Sequence, residues 1–334
     1  MWAKNRISIL LVVYLVTTSS LFGQSKKYKT IGSSNESIQQ IVVGDKGEYI
    51  LALTEKYILQ TWQVSNNSLL VSQQIDGASA SISLSPDNST LACGTSSGQV
   101  QLRSFPSLEL KQTLNTEDKL PVLKTAWANQ DSITVLLNDN SVSLFSVKSS
   151  RLIYNLPASE FSATSLDVSD SLNLIVVSDI EGGLSFRKLS DGQLLRTTKS
   201  HSKQIREVKI DKERNAIVTV GDDGKCQMTS IKTDYLLFKR KRYFTWLTAI
   251  DLNQKSILLT SSEGFIEIIT PFNSYDLKIN AVISSAKFIP TGESNQLVVC
   301  LGTLGKGIVI VKASSMKARE KLRSPQIHAN RVSF

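Results

Sequence analysis

The sequence predicts an all-β protein, a seven-bladed β-propeller built from four-stranded antiparallel blades. Three observations predict this fold: a pair of apolar residues that recurs seven times, a turn signal before each pair, and no long helical pattern. Successive pairs are separated by 41, 42, 42, 42, 40 and 42 residues, and a fixed period of this length is typical of repeat architectures. The first members of the pairs are Leu59, Val100, Val142, Leu184, Cys226, Ile266 and Ile308.

Each pair indicates one face of a β-strand, because side chains two positions apart point to the same side of a strand. All the second members except Thr61 are apolar. These second members are Thr61, Leu102, Leu144, Phe186, Met228, Ile268 and Ile310.

Another apolar strand precedes each pair across a tight turn. The turns include Ser96-Ser97-Gly98 and Asp222-Asp223-Gly224, whose Gly and Asp residues suit the positive φ angles of hairpins. The strands before the turns are Tyr49–Leu53, Thr90–Cys93, Ile133–Leu137, Leu174–Val177, Ala216–Val220, Ile257–Thr260 and Gln296–Leu301. These runs are apolar on both faces, as expected for strands between two stacked blades.

The remaining strands of each unit flank this hairpin. One lies upstream, such as Ile82–Leu84 before the turn at Ser85-Pro86-Asp87-Asn88, and a more polar one closes the unit, such as Leu108–Leu114 or Gln193–Thr198. A lone four-stranded sheet could not bury both of its faces, so these units require a closed ring.

These repeats resemble those of the WD-repeat family. Residues 84–92 (LSPDNSTLA) are similar to the first turn and second strand of that family's repeat. Residues 191–196 (DGQLLR), then His201, then residues 220–224 (VGDDG) are similar to its fourth strand, loop histidine and hairpin. The resemblance covers roughly residues 28–334 and implies a propeller that serves as a binding platform.

The sequence departs from that family at the aromatic position that follows each pair. Of the residues found there, Trp62 alone keeps the indole. The full set is Trp62, Arg103, Phe145, Arg187, Thr229, Ile269 and Val311. The resemblance implies that the family's hydrogen-bonded set of His, Ser/Thr, Asp and Trp survives in part at His201 with Asp222 or Asp223, and that apolar packing dominates elsewhere.

Two segments are candidates for the strand that closes the ring. Residues 28–31 (YKTI) resemble the outer strand with which the family completes its last blade, and residues 318–323 could fill the same place. The tail, about residues 313–334, is either an extra arm or the start of an eighth repeat in a longer protein. The sequence leaves both questions open.

The first 23 residues have the pattern of a secretory signal peptide. Lys4 and Arg6 precede the apolar run Ile7–Val16, and small residues follow. The alternative is a membrane anchor, but the run is shorter than the roughly 20 residues that a span requires. We expect residues 1–23 to be removed, residues 24–334 to form one exported domain in the periplasm or outside the cell, and no stable membrane span to remain.

Composition indicates a folded, basic protein. Hydrophobic residues make up 41% of the 334 residues and charged residues 20%, with a net charge of +9. Residues 161–334 contain 25 basic and 17 acidic side chains, so one sector of the ring should be positive. Cys93, Cys226 and Cys300 lie in apolar runs, and we interpret them as buried thiols outside any disulfide framework.

The sequence offers little for catalysis, and we expect neither an enzyme nor a cofactor or metal site. The chain has only two histidines, His201 and His328. Residues 94–98 (GTSSG) match the G-x-S-x-G pattern of serine hydrolases, but their place in the repeat predicts a strand-to-strand hairpin and not the strand-to-helix elbow of those enzymes. No His or Cys spacing fits a metal site.

One stretch of the chain combines consecutive cations with aromatic residues. Residues 238–246 (FKRKRYFTW) lie at the junction of the fifth and sixth units, and we interpret them as a basic loop with stacking aromatics. The alternative is that Phe244 and Trp246 begin the next strand while the charges are solvated. The candidate partner-binding residues are Lys199, His201, Lys203, Lys239, Arg240, Lys241, Arg242, Tyr243 and Trp246.

The resemblance and the missing catalytic residues together favour a non-enzymatic protein–protein interaction scaffold with an acidic protein partner. Two alternatives remain. One is a ligand-binding or enzymatic propeller of the quinoprotein or lactonase kind, and the other is binding of an anionic glycan or nucleic acid through the basic stretch.

Overall fold

The protein is described from a computed structural model. It describes residues 27–32, 35–75, 79–116, 119–157, 161–242, 245–254, 256–292 and 296–320. The expected signal peptide and the last 14 residues of the tail, which include His328, therefore lie outside the described residues.

The described residues form a closed ring of seven antiparallel sheets, which confirms the predicted propeller. A short strand, β1 (Lys29–Ile31), precedes the first blade. Blades 1 to 3 consist of β2 (Ile38–Val43), β3 (Tyr49–Thr54), β4 (Ile58–Gln63) and β5 (Ser68–Gln74); β6 (Ser79–Leu84), β7 (Thr90–Thr95), β8 (Gln99–Ser104) and β9 (Leu110–Asn115); and β10 (Val122–Trp127), β11 (Ser132–Leu137), β12 (Val142–Ser146) and β13 (Arg151–Leu156).

The remaining blades follow the same order of strands. Blades 4 and 5 consist of β14 (Ala163–Ser169), β15 (Leu174–Asp179), β16 (Gly183–Lys188) and β17 (Leu194–Lys199); and β18 (Ile205–Asp211), β19 (Ala216–Gly221), β20 (Lys225–Ser230) and β21 (Leu236–Lys241). Blades 6 and 7 consist of β22 (Leu247–Asn253), β23 (Ser256–Ser261), β24 (Phe265–Ile269), β25 (Asn273–Lys278) and β29 (Lys317–Glu320); and β26 (Val282–Ile289), β27 (Val298–Leu304) and β28 (Gly307–Lys312) with β1. A 3-10 turn at Ala313–Ser315 joins β28 to β29.

The second strand of each blade is buried on both faces, as the sequence predicts. In β3, Ile50 and Ala52 pack with Cys300 and Ile308 of blade 7, whereas Leu51 and Leu53 pack with residues of blade 2. Because successive side chains point to opposite faces, a strand between two blades needs an unbroken apolar run. The apolar pairs that mark the repeat lie in the third strands.

The two candidates for ring closure occupy different blades. Strand β1 pairs with β28, with Ile31 opposite Ile308, and it supplies the outer strand of blade 7. Strand β29 pairs with β25 as a fifth strand on blade 6, where Arg319 donates two hydrogen bonds to Asp276. The N-terminal segment therefore closes the ring, and the beginning of the tail is an additional strand.

The three cysteines are free and buried, as predicted. Burial raises the pKa of the Cys93 thiol to about 12, and it also raises the pKa values of Cys226 and Cys300. The thiols therefore remain protonated and act as small apolar side chains.

Candidate functional site

The candidate site is a groove on one face of the ring, which we call the loop face. The loop face carries the hairpins between the second and third strands and the loops that lead from each outer strand to the next blade. The two sets of loops contact one another: the Arg242 N–H donates to the carbonyl of Gly224. Gly224 has a φ of +69°, and a Cβ there would lie 2.1 Å from the Arg242 carbonyl oxygen, so this hairpin requires glycine.

The groove lies over blades 5 and 6 and has a volume of about 490 Å³. Its lining combines lysines, two carboxylates, small polar residues and one indole. The lining residues are Ser202, Lys203, Asp222, Asp223, Lys225, Lys241, Thr245 and Trp246.

Beneath the groove, His201 is buried and holds the blade-5 hairpin in place. Its Nδ1 lies 2.8 Å from Oδ1 of Asp223, and its Nε2 lies 2.8 Å from Oγ1 of Thr219. A carboxylate can only accept, so Nδ1 carries the proton and Nε2 accepts from the Thr219 hydroxyl. This arrangement resolves the choice between Asp222 and Asp223, and it adds Thr219, which the sequence analysis missed.

Burial and hydrogen bonding set the charges of this cluster. Burial lowers the pKa of His201 despite the attraction of Asp223, so the imidazole is neutral. Burial opposes ionisation of Asp223, but hydrogen bonds from His201 and Lys225 outweigh it and hold its pKa well below the usual range. Asp223 is thus an ionised carboxylate, with the Lys225 ammonium 2.9 Å away.

Asp222 has a separate partner at the edge of the groove. Nε and Nη2 of Arg206 lie 2.7 and 2.8 Å from its two carboxylate oxygens. The same guanidinium lies 5.6 Å from the ring centroid of Trp246, within the range of a cation–π contact. The indole itself is 52% exposed.

The first four residues of the basic stretch, 238–241, lie in a strand and not in a loop, which corrects the sequence interpretation for this part. Lys239, Arg240 and Lys241 lie in β21, the outer strand of blade 5. Arg240 and Arg242 both bind the carboxylate of Glu267 in blade 6. Because that carboxylate is 1% exposed, the two guanidiniums compensate a buried charge.

The structure brings together three of the nine predicted site residues. Lys203, Lys241 and Trp246 line the groove. Lys199 and Lys239 are exposed on the outer strands β17 and β21. His201 lies below the surface, is 2% exposed and contacts Asp223 and Thr219 in this structure. Arg240 and Arg242 are occupied by Glu267, and Tyr243 lies outside the described residues.

Several groove residues escaped sequence reasoning because their roles depend on pairing between loops. Arg206 lies 16 residues before Asp222 in the sequence, and Lys225 is a single cation at the end of the hairpin. The hairpin Asp222-Asp223 could have drawn attention to them, because a carboxylate that becomes buried on folding requires a hydrogen-bond donor or a cation beside it.

Metal sites and membrane-spanning helices are two further features that distinguish classes of function. No group of three or more His, Cys, Asp or Glu side chains is placed to hold a metal ion in the described part of the chain. Among the same residues, no helix is long and apolar enough to span a membrane.

Comparison with known proteins supports the fold alone. No family model and no curated protein matches this chain, whereas 1861 solved chains match it in structure. One is the β-propeller domain of Cps50 (Swd1) from Myceliophteria thermophila, with a TM-score of 0.71 and 11% identity over 85% of this chain and 98% of that chain. Likeness at this identity shows a shared propeller architecture and carries no activity across.

Proposed function

We propose that the protein is a non-enzymatic interaction scaffold that acts after export, and that its loop-face groove binds an acidic segment of a partner protein. The observation that carries the proposal is the exposed indole of Trp246 in the same groove as the exposed lysines Lys203 and Lys241. The structural likeness to a propeller domain supports a platform role by analogy.

The indole suits the role of an interface anchor. Trp246 immediately precedes β22, and the Arg206 guanidinium beside it is itself fixed by two hydrogen bonds to Asp222. A large aromatic side chain on a rigid support loses little freedom on binding, which is why tryptophan and arginine dominate interface energetics.

The electrostatics of the groove favour an acidic partner. Both of its carboxylates are bound internally, Asp222 by Arg206 and Asp223 by His201 and Lys225. The side chains of Lys203 and Lys241 are both exposed. Cationic side chains at an interface rim raise the rate of encounter with an acidic surface and make it dependent on salt.

A binding role without catalysis is consistent with the chemistry of the groove. His201 is the one histidine in the described part of the chain, and both of its ring nitrogens are engaged in hydrogen bonds. It therefore has no free nitrogen with which to activate a nucleophile at the groove surface.

Export rests on the signal-like pattern of residues 1–23. If the segment is removed, the mature protein begins near residue 24 and carries no apolar leader. N-terminal sequencing of the protein recovered from the cell envelope tests this, and recovery of an intact Met1 in a membrane fraction would favour the anchor instead.

Trp246→Ala should weaken partner binding about 30-fold or more, because an anchoring tryptophan contributes about 2 kcal/mol or more. The tagged chain of residues 24–334 is used to capture partners from cell-envelope extract, and the affinity of the captured protein is then measured by titration. Lys203→Ser with Lys241→Ser should mainly slow association and reduce its salt dependence.

The matched control places the same kinds of change on the opposite face. Phe272→Ala with Lys148→Ser alters an exposed aromatic residue and a lysine in turns between third and fourth strands, and it should leave the affinity unchanged. Equal loss in both sets would show that the groove is not the binding site. Capture of a glycan or nucleic acid, in place of a protein, would replace the proposed partner class.

A further inference from the structure

The central channel of the ring contains a second site that the scaffold role does not use. A cavity of about 440 Å³ lies along the channel, lined by the first strands of the blades. These strands share a bulge near their start, so the residue after the bulge is structurally equivalent in every blade. The equivalent residues are Gln40, Ser81, Lys124, Ser165, Glu207, Ala249 and Ser285.

Around the channel, a side chain of one blade accepts a hydrogen bond from a backbone N–H of the next. In the described residues this occurs at six of the seven junctions, at distances between 2.7 and 3.2 Å. The donor–acceptor pairs are Ile82 to Gln40, Thr125 to Ser81, Ile210 to Asp167, Ile250 to Glu207, Phe288 to Asp251 and Ile41 to Ser285.

The junction between blades 3 and 4 lacks such an acceptor. Blade 3 has Lys124 where other blades have Gln40 or Glu207, and Ala126 where others have Asp167 or Asp251. An ammonium group donates hydrogen bonds but cannot accept them, and the side chain of alanine can do neither. No side-chain acceptor among the described residues reaches the equivalent N–H groups of Leu166 and Val168, although Leu166 lines the cavity.

Lys124 also lacks a close countercharge. In the described chain, no hydrogen bond and no carboxylate within 4.0 Å reaches its ammonium group, whereas Lys287 lies 3.1 Å from Asp251 and Lys209 lies 3.8 Å from Glu207. Burial lowers the pKa of Lys124, and the more distant attraction of Glu207 and Asp167 does not offset this. The wall of the channel therefore presents hydrogen-bond donors where the other junctions present an oxygen atom.

We propose that the channel binds a small oxyanion, a carboxylate or a phosphate group, at the junction of blades 3 and 4. The anion supplies the missing acceptor: it takes a charge-assisted hydrogen bond from Lys124 and further hydrogen bonds from the neighbouring N–H groups. The cavity is larger than the ion, so the site accommodates a compact molecule that carries such a group. Arg206, at the edge of the groove, also lines this cavity, whereas Lys124 and Ala126 line the cavity and not the groove.

The test uses calorimetric titration of the mature chain with inorganic phosphate and, separately, with acetate, at constant ionic strength. We expect one of the two to bind with 1:1 stoichiometry, which identifies the preferred oxyanion. Lys124→Met should weaken binding about tenfold or more, because it removes a charge-assisted hydrogen bond.

A second variant builds the missing acceptor into the protein. Ala126→Asp places a carboxylate at the position of Asp167 and Asp251, so it should abolish anion binding and raise the unfolding temperature in anion-free buffer. Lys56→Met, at an exposed lysine in a hairpin, is the control and should bind as the wild type does. Circular dichroism establishes that each variant is folded.

Three outcomes would overturn the proposal. The first is that neither anion binds the wild type. The second is that the wild type and both channel variants bind equally, which would place the anion elsewhere. The third is that Ala126→Asp binds the anion as tightly as the wild type does. These experiments measure anion binding in the channel, so none of the three results tests partner binding at the groove.

Discussion

At the position after the apolar pair, Trp62 in blade 1 and Arg103 in blade 2 both place a hydrogen-bond donor in the same region of the blade. The indole of Trp62 donates to Gln60 at 3.2 Å. Arg103 donates to Gln101 at 2.7 Å and to the Leu108 carbonyl at 3.0 Å, although it is only 3% exposed. The sequence shows that the aromatic residue is lost, but not that arginine replaces its donor, because this depends on which turn carbonyl lies within reach.

His201 makes the stability of the protein dependent on pH. Its pKa is lowered in the folded state, so below about pH 6.5, the ordinary value, the unfolded chain binds more protons and stability falls as pH decreases. His201→Gln should be less stable than the wild type at pH 7.5 by about 1–3 kcal/mol, but should lose less on acidification to pH 5.5.

Urea unfolding at pH 7.5 and 5.5 measures this difference. Asp223 does not contribute in this interval, since its folded pKa is depressed below an ordinary value of 3.8, so its stabilisation is lost only at lower pH. A wild-type and a variant curve with the same pH dependence would contradict the assigned neutral imidazole.

In β21, successive side chains point to opposite faces of the strand, so the cations of one run have two different roles. Arg240 points towards Glu267 of blade 6, whereas Lys239 and Lys241 point to solvent. The four consecutive cations were predicted to form a binding loop because the sequence shows that they are adjacent, but not which face of a strand each one occupies. Replacing all four together would therefore remove a structural ion pair along with any binding surface.

Arg240→Met with Arg242→Met should destabilise the protein by about 3–5 kcal/mol, because it leaves the buried carboxylate of Glu267 without compensation. Lys199→Met with Lys239→Met, at two exposed lysines of outer strands, is the matched control, and its effect should stay within about 0.5 kcal/mol. Urea unfolding of both pairs tests this. Adding Glu267→Leu to the arginine pair should recover much of the loss, and failure to recover it would point to a role for the arginines beyond Glu267.

The two terminal strands should contribute unequally to stability. Ile31→Ala in β1 should cost about 2–5 kcal/mol, because Ile31 is 2% exposed and joins blades 1 and 7. A chain that ends at Met316 loses β29 but keeps the ring closed, and its urea midpoint should lie much nearer the wild-type value. The reverse order of midpoints would contradict closure by β1.

For the whole molecule, the repeat period was sufficient to predict the ring, the strand order within each blade and the buried second strands. The repeat period is recognised from the alternation of apolar and polar residues along each strand, which can be read from a single sequence. The groove and the channel depend instead on which residues adjoining blades bring together. Arg206 contacts Trp246, and Lys124 lies where other blades have a hydrogen-bond acceptor, only once the blades have assembled into the ring. No local sequence pattern predicts either arrangement.

The most direct measurement is photo-crosslinking with a photoreactive phenylalanine at position 246, compared with the same residue at position 272 on the opposite face. If the loop-face groove binds the partner, position 246 should give a crosslink to one acidic protein in the cell envelope, and Lys203→Ser with Lys241→Ser should reduce its yield. Position 272 should give none. A protein crosslinked equally from both positions, or from 272 alone, would contradict the account.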